Sequence, residues 1–85
     1  MIQVTIGTTM KRKNYTMTPD TTLKAALDTA KADTGIDYTV NMITLDGASL
    51  GAGQLNKTFK ELGYDGTYGH DQAYLLAVAK ADNAA

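Results

Sequence analysis

The 85-residue sequence predicts an α+β fold in which a mixed sheet of four or five strands packs on one helix. Three observations carry this prediction. Ile2, Val4 and Ile6 alternate with Gln3 and Thr5, the period of a half-buried strand built from β-branched residues. Leu23, Ala26, Leu27 and Ala30 recur at i, i+3, i+4 and i+7, which places them along one face of a helix. Residues 73–80 are apolar nearly throughout, as expected for a central strand covered on at least one side.

Taken along the chain, the first strand ends at a turn signal, Gly7-Thr8-Thr9. A second strand follows Lys11-Arg12-Lys13, with Tyr15 and Met17 alternating against Asn14, Thr16 and Thr18, so the two form a hairpin. Pro19 stops the ladder because it has no N–H to donate. Asp20 or Thr21 is expected to cap a helix over residues 21–34 by accepting from its first free N–H groups. Gly35 is expected as the left-handed residue that ends it, with Ile36 folding back on the apolar face. Residues 40–45 predict a third strand with Ile43 and Leu45 turned inward. Asp46-Gly47 is a type I′ turn signal, leading to a very short fourth strand over 48–50. Gly51-Ala52-Gly53 is expected to be flexible. Leu55, Phe59 and Leu62 at i, i+4 and i+7 predict a short helix ended by Gly63. Residues 63–71, with three glycines, read as a loop before the last strand, and the end of the chain as a frayed tail.

The chain length suffices for one small domain, expected over residues 1–80, with a flexible tail over 81–85. Such a domain buries only about 60–65% of the surface its unfolded chain exposes, so most apolar side chains must serve the core. Little remains for an enclosed active site, which favours a protein that works through its surface. Eight Lys+Arg against nine Asp+Glu give a net charge of −1 and no global pull toward nucleic acid or acidic membranes. With no cysteine, disulfides, thiolate metal sites and cysteine nucleophiles are excluded. A single histidine makes a structural zinc site improbable. No apolar run approaches a membrane span, and the N-terminus lacks a secretory pattern, so a cytoplasmic protein is expected.

Placing the last, most apolar strand beside the first, in parallel, wraps a mixed sheet around one helix: a β-grasp. The chain then resembles the ubiquitin-like β-grasp family over about residues 1–80. The resemblance rests on the opening hairpin, on residues 18–23 entering the helix and 33–37 leaving it, on Leu45-Asp46-Gly47-Ala48-Ser49-Leu50, and on residues 54–59 followed by Leu62-Gly63. It implies a domain whose exposed sheet meets other proteins. The chain departs from the modifiers of the family at Asp82-Asn83-Ala84-Ala85, where they carry Gly-Gly. It departs again at Thr44, where an aliphatic residue is usual, and at Ala48, where ubiquitin carries a linkage lysine. The fold is therefore carried over and the modifier function is not.

Four constellations bear on function. His70-Asp71, near Tyr64, Asp65 and Tyr68, is the one cluster with titratable chemistry, but adjacent residues of an extended chain point apart. A solvated histidine in a contact loop rich in tyrosine and glycine is the plainer reading. Gly51-Ala52-Gly53-Gln54 lacks the Gly-Lys-Ser/Thr of a phosphate loop. Lys11-Arg12-Lys13 reads as cations guarding an edge strand against pairing. Met10 and Met42 are candidates for an exposed apolar patch, whereas Tyr15 and Met17 belong with the core by alternation. Val40, Met42 and Thr44 lie on the parity opposite Ile43 and Leu45, and with alternate residues of the last strand they form a mild apolar stripe on the open sheet face.

The expected function is non-enzymatic binding of another protein through Val40, Met42 and Thr44, aided by Tyr68 and His70 of the loop. No catalytic residue, metal or cofactor is expected, nor binding to nucleic acid or membrane. The protein is expected to be a monomer or weak oligomer. The alternatives are a covalent modifier or sulfur carrier with an atypical terminus, and a small structural or assembly component.

Overall fold

A computed structural model describes residues 1–78. The elements are β1 (Ile2–Gly7), β2 (Arg12–Met17), α1 (Leu23–Thr34), β3 (Met42–Leu45), β4 (Ala48–Ser49), two 3-10 turns (Ala52–Asn56 and Lys60–Leu62) and β5 (Gln72–Val78). They form one mixed five-stranded sheet in the order β2-β1-β5-β3-β4, packed on one helix in a β-grasp-like arrangement. β5 is central and runs parallel to β1, as the apolar character of the last strand predicts. Residues 79–80 of the expected last strand, and the expected tail, lie outside the described residues.

Strand alternation sorts the side chains into two faces. Ile2, Val4 and Ile6 of β1, Ile43 and Leu45 of β3, and Ala73, Leu75 and Ala77 of β5 turn inward and are buried. Leu23, Ala26, Leu27 and Ala30 of α1 meet them, and Ile36 and Phe59 close the ends of the same cluster. Each Leu, Ile or Phe so buried contributes about 1.5–3 kcal/mol of transfer free energy, the main term holding a domain of this size. Tyr15 and Met17 pack at its border and are half-buried.

The helix starts two residues later than the sequence suggests, and its cap is Thr22 instead of Asp20 or Thr21. Thr22 Oγ1 accepts from Ala25 N at 3.1 Å. Thr21 is committed elsewhere: its N–H bonds Thr18 O at 3.1 Å and its carbonyl accepts from Phe59 N at 3.1 Å. At the other end Gly35 takes φ 78°, and its N–H reaches Lys31 O. The buried Thr34 hydroxyl donates to Ala30 O at 2.9 Å and accepts from Ile36 N at 3.3 Å, leaving it no unmet polar atom.

Two further expectations are corrected. The third strand begins at Met42, not Val40, because Asp37 Oδ1 captures Thr39 N and Oγ1 at 2.9 and 2.6 Å and its carbonyl accepts from Asn41 N at 3.0 Å. That local turn outcompetes the ladder. The single helix expected through Leu55, Phe59 and Leu62 is split into two 3-10 turns, with Lys57 extended between them at φ −86°, ψ 153°. Lys57 O and Phe59 N bond Leu23 N and Thr21 O, so the segment is stapled to the start of α1 and cannot coil through it. Gly51-Ala52-Gly53 is correspondingly not a free linker: it enters the first 3-10 turn, with Gln54 Oε1 accepting from Gly51 N at 2.9 Å.

Candidate functional site: the open sheet face

The outward residues of β1, β2, β3 and β5 make one broad face with no element over it among the described residues. β2 contributes Arg12, Asn14 and Thr16; β1 contributes Gln3 and Thr5; β5 contributes Gln72, Tyr74, Leu76 and Val78; β3 contributes Met42 and Thr44. The face divides along β5. Toward β2 it is polar. Gln3 Nε2 donates to Thr16 Oγ1 at 3.1 Å, and Thr5 Oγ1 donates to Asn14 Oδ1 at 2.6 Å. Gln3, Thr5 and Asn14, with Gln72, Tyr74 and Asp46, line a shallow depression of about 540 Å³. Toward β3 the face is apolar: Val78 lies opposite Met42, and Leu76 opposite Thr44. Thr44 Oγ1 donates to Leu76 O at 3.3 Å, which satisfies the hydroxyl and leaves its methyl group in the stripe.

Among the described residues, Arg12 is the one charged side chain that the strands place on this face. Its guanidinium reaches across β1 to lie 5.8 Å from the centre of the Tyr74 ring, a cation–π contact between the polar and apolar halves. Asp46 flanks the face from the β3–β4 turn. It takes φ 50°, as the first residue of a type I′ turn must, and accepts a hydrogen bond from the Tyr64 hydroxyl. Burial, with Asp46 beside it, pushes the Tyr64 hydroxyl up to about 12.

The sequence-predicted residues do not form one patch. Met42, 37% exposed, and the half-buried Thr44 stand on the open face. Val40, 61% exposed, belongs to the turn before β3 and lies outside the strand. Met42 also lines an apolar groove of about 340 Å³, which runs past the end of β4 to Tyr38, Leu50 and Leu55. Tyr68 and His70 lie at the other end of β5, separated from Met42 by the strand's length of about 20 Å.

Tyr68 is fully exposed at the tip of the 63–71 loop. The loop holds itself: Asp65 Oδ1 accepts from Thr67 N and Oγ1 at 3.0 and 2.7 Å, His70 N donates to Thr67 O at 2.7 Å, and Gly66 N donates to His70 O at 2.9 Å. The Thr67 hydrogen bonds hold the Asp65 carboxyl below its ordinary value, with the nearby His70 adding to the effect. Among the described residues no three His, Asp or Glu side chains converge as a metal site would require.

Alternate residues of the last strand are expected in the stripe, and those on this face are Tyr74, Leu76 and Val78; the Arg12–Tyr74 contact is the part that strand periodicity does not signal. Tyr74, Leu76 and Val78 alternate with Ala73, Leu75 and Ala77, and two of the three residues on the helix side of the sheet are small. No helix among the described residues is long and apolar enough to cross a membrane. No protein-family model matches the chain, and no curated protein matches it.

Proposed function

We propose that the protein is a small, non-enzymatic, ubiquitin-like interaction module that acts in the cytoplasm by binding another protein across its open sheet face. The observation that carries this reading is the stripe of Met42, Leu76 and Val78, bordered by Tyr74 and the Arg12 guanidinium and lying beside a polar, amide-lined half. Apolar side chains grouped on a solvated sheet are where a partner gains most by excluding water. The Arg12 guanidinium at its border selects a partner that sets a carboxylate beside an apolar strip. Desolvated charge complementarity of that kind gives specificity and register more than raw affinity.

A photo-crosslinking residue placed at Leu76 or Thr44, with Lys24 or Ala25 of the helix as controls, tests the reading in the native host. Adducts of one mass from the sheet positions, lost on Met42→Glu and weakened about tenfold by Arg12→Ala, are expected. Adducts from the helix positions alone overturn it.

A further inference from the structure

We infer that the outer edge of β2 is a self-association site, at which a second copy of this chain pairs antiparallel, β2 to β2, about Asn14. The inference concerns the border of the sheet and does not rest on the sheet-face reading. β2 is the terminal strand of the sheet, and among the described residues it pairs with β1 alone. It runs for six residues, Arg12–Met17, without proline or glycine, whereas the opposite border is the two-residue β4. A long regular edge of this kind offers a row of unpaired N–H and C=O groups to another strand.

The phase of those groups follows from two hydrogen bonds. Thr8 N donates to Lys11 O at 2.8 Å, so residues 11, 13, 15 and 17 bond toward β1. Gln3 N donates to Asp71 O at 2.8 Å, so the odd residues of β1 bond toward β5 and the even ones toward β2, which agrees. Arg12, Asn14 and Thr16 therefore point their backbone groups outward. A two-fold axis at Asn14 pairs Arg12 with Thr16 of the second copy, Asn14 with Asn14, and Thr16 with Arg12. This register uses all three outward residues, makes about six new backbone bonds, and keeps the two open faces on one side.

Cations on an edge ordinarily oppose such pairing, but the two within this strand are drawn away from it. Lys13 turns under the sheet to Asp33, with Nζ to Oδ2 at 3.3 Å, and lies 5.5 Å from the Tyr15 ring centre. Arg12 folds over Tyr74. In the Asn14-centred register Lys13 stands opposite Tyr15 of the second copy, and no like charges oppose one another. The two Arg12 residues lie four positions apart along the strands, about 14 Å, beyond the screening length of about 8 Å at physiological salt. Sliding the register one pair toward the hairpin sets Lys13 against Lys13, which the charges disfavour, and sliding it the other way sets Arg12 opposite Thr18, beyond the end of the strand, so the Asn14-centred alignment is the one retained.

Sedimentation velocity and amide hydrogen exchange on the full chain, between about 20 µM and about 1 mM, test the inference. A concentration-dependent dimer is expected, with exchange at Arg12, Asn14 and Thr16 slowed about tenfold at the high concentration while Lys13 and Tyr15, already bonded to β1, stay unchanged. Asn14→Pro removes an outward N–H, and Thr16→Lys sets like charges opposite Arg12. Each is expected to weaken association at least tenfold. Thr16→Lys lies on an exposed site and serves should Asn14→Pro fail to fold. A protein that stays monomeric to 1 mM overturns the inference. So does a dimer that Thr16→Lys leaves intact, or one whose exchange protection falls elsewhere than on these three amides.

Discussion

Gly7 has no room for a methyl group. A Cβ built there collides with Lys11 O and stands 2.6 Å from Arg12 Cα, both backbone atoms that no rotamer change can move. The hairpin thus closes as tightly as it does because residue 7 has no side chain. Gly7→Ala is expected to cost about 3 kcal/mol or more, the upper end of overpacking penalties. In a domain this small that lowers the melting temperature by about 12 °C or more, measurable by circular dichroism. Gly53→Ala, where nothing lies within 4 Å, is the control and should change little. Val40 illustrates the opposite limit: its β-branched side chain favours a strand, yet the hydrogen bonds of Asp37 decide its backbone.

At the scale of elements, the start of α1 and the 57–60 segment are one unit. Leu23 N bonds Lys57 O at 3.0 Å, Phe59 N bonds Thr21 O at 3.1 Å, and Lys60 N bonds Pro19 O at 2.9 Å. These bonds seat Phe59, fully buried, beneath the first turn of the helix, where Tyr64 meets it edge-on with ring centres 6.4 Å apart. They also make Thr22 the cap. Thr22→Ala is expected to lower stability by about 1 kcal/mol, while Asp20→Ala stays within about 0.5 kcal/mol. Urea unfolding midpoints at constant m-value distinguish the two. Equal losses at both positions, or a larger one at Asp20, contradict the cap assignment.

At the scale of the molecule, the hairpin is tied to the helix by the Tyr15 hydroxyl, which donates to Asp33 Oδ2 at 2.8 Å, with Lys13 on the same carboxylate. The hydrogen bonds from Tyr15 and Lys13 hold the Asp33 carboxyl below its ordinary range, while desolvation and Asp33 push the Tyr15 hydroxyl up to about 12. Asp37 and Glu61 are also held low, first by hydrogen bonds from Thr39 and Thr58 respectively. A carboxyl depressed in the folded state stabilises it above the unfolded value near 4, and that contribution is lost as pH falls through the folded value. A phenol raised in the folded state stabilises it below about 10 and loses that contribution as pH climbs toward 12. Stability is therefore expected to be level between about pH 5 and about pH 9 and to fall on both sides. Tyr15→Phe should flatten the alkaline fall, leaving the part due to Tyr64. Urea midpoints across pH measure it, and an unchanged alkaline limb in Tyr15→Phe contradicts the assignment.

Local patterning alone determined the class of this fold, the inward residues of β1, β3 and α1, the Gly35 stop and the central place of the last strand. Each follows from side-chain period, from a missing Cβ or from the need to cover apolar surface, and none requires knowing a distant neighbour. Tertiary structure decided the rest: the cap moved to Thr22, the helix through Leu55 and Leu62 broke at Lys57, and Tyr68 and His70 came to lie a strand's length from Met42. It also brought Arg12 over Tyr74 and, among the described residues, left the edge of β2 without a neighbour. The reason is the same in every case. Backbone hydrogen bonds between segments far apart in sequence, and the faces onto which strands turn their side chains, depend on which elements become neighbours, and that is settled only when the whole sheet closes around its helix.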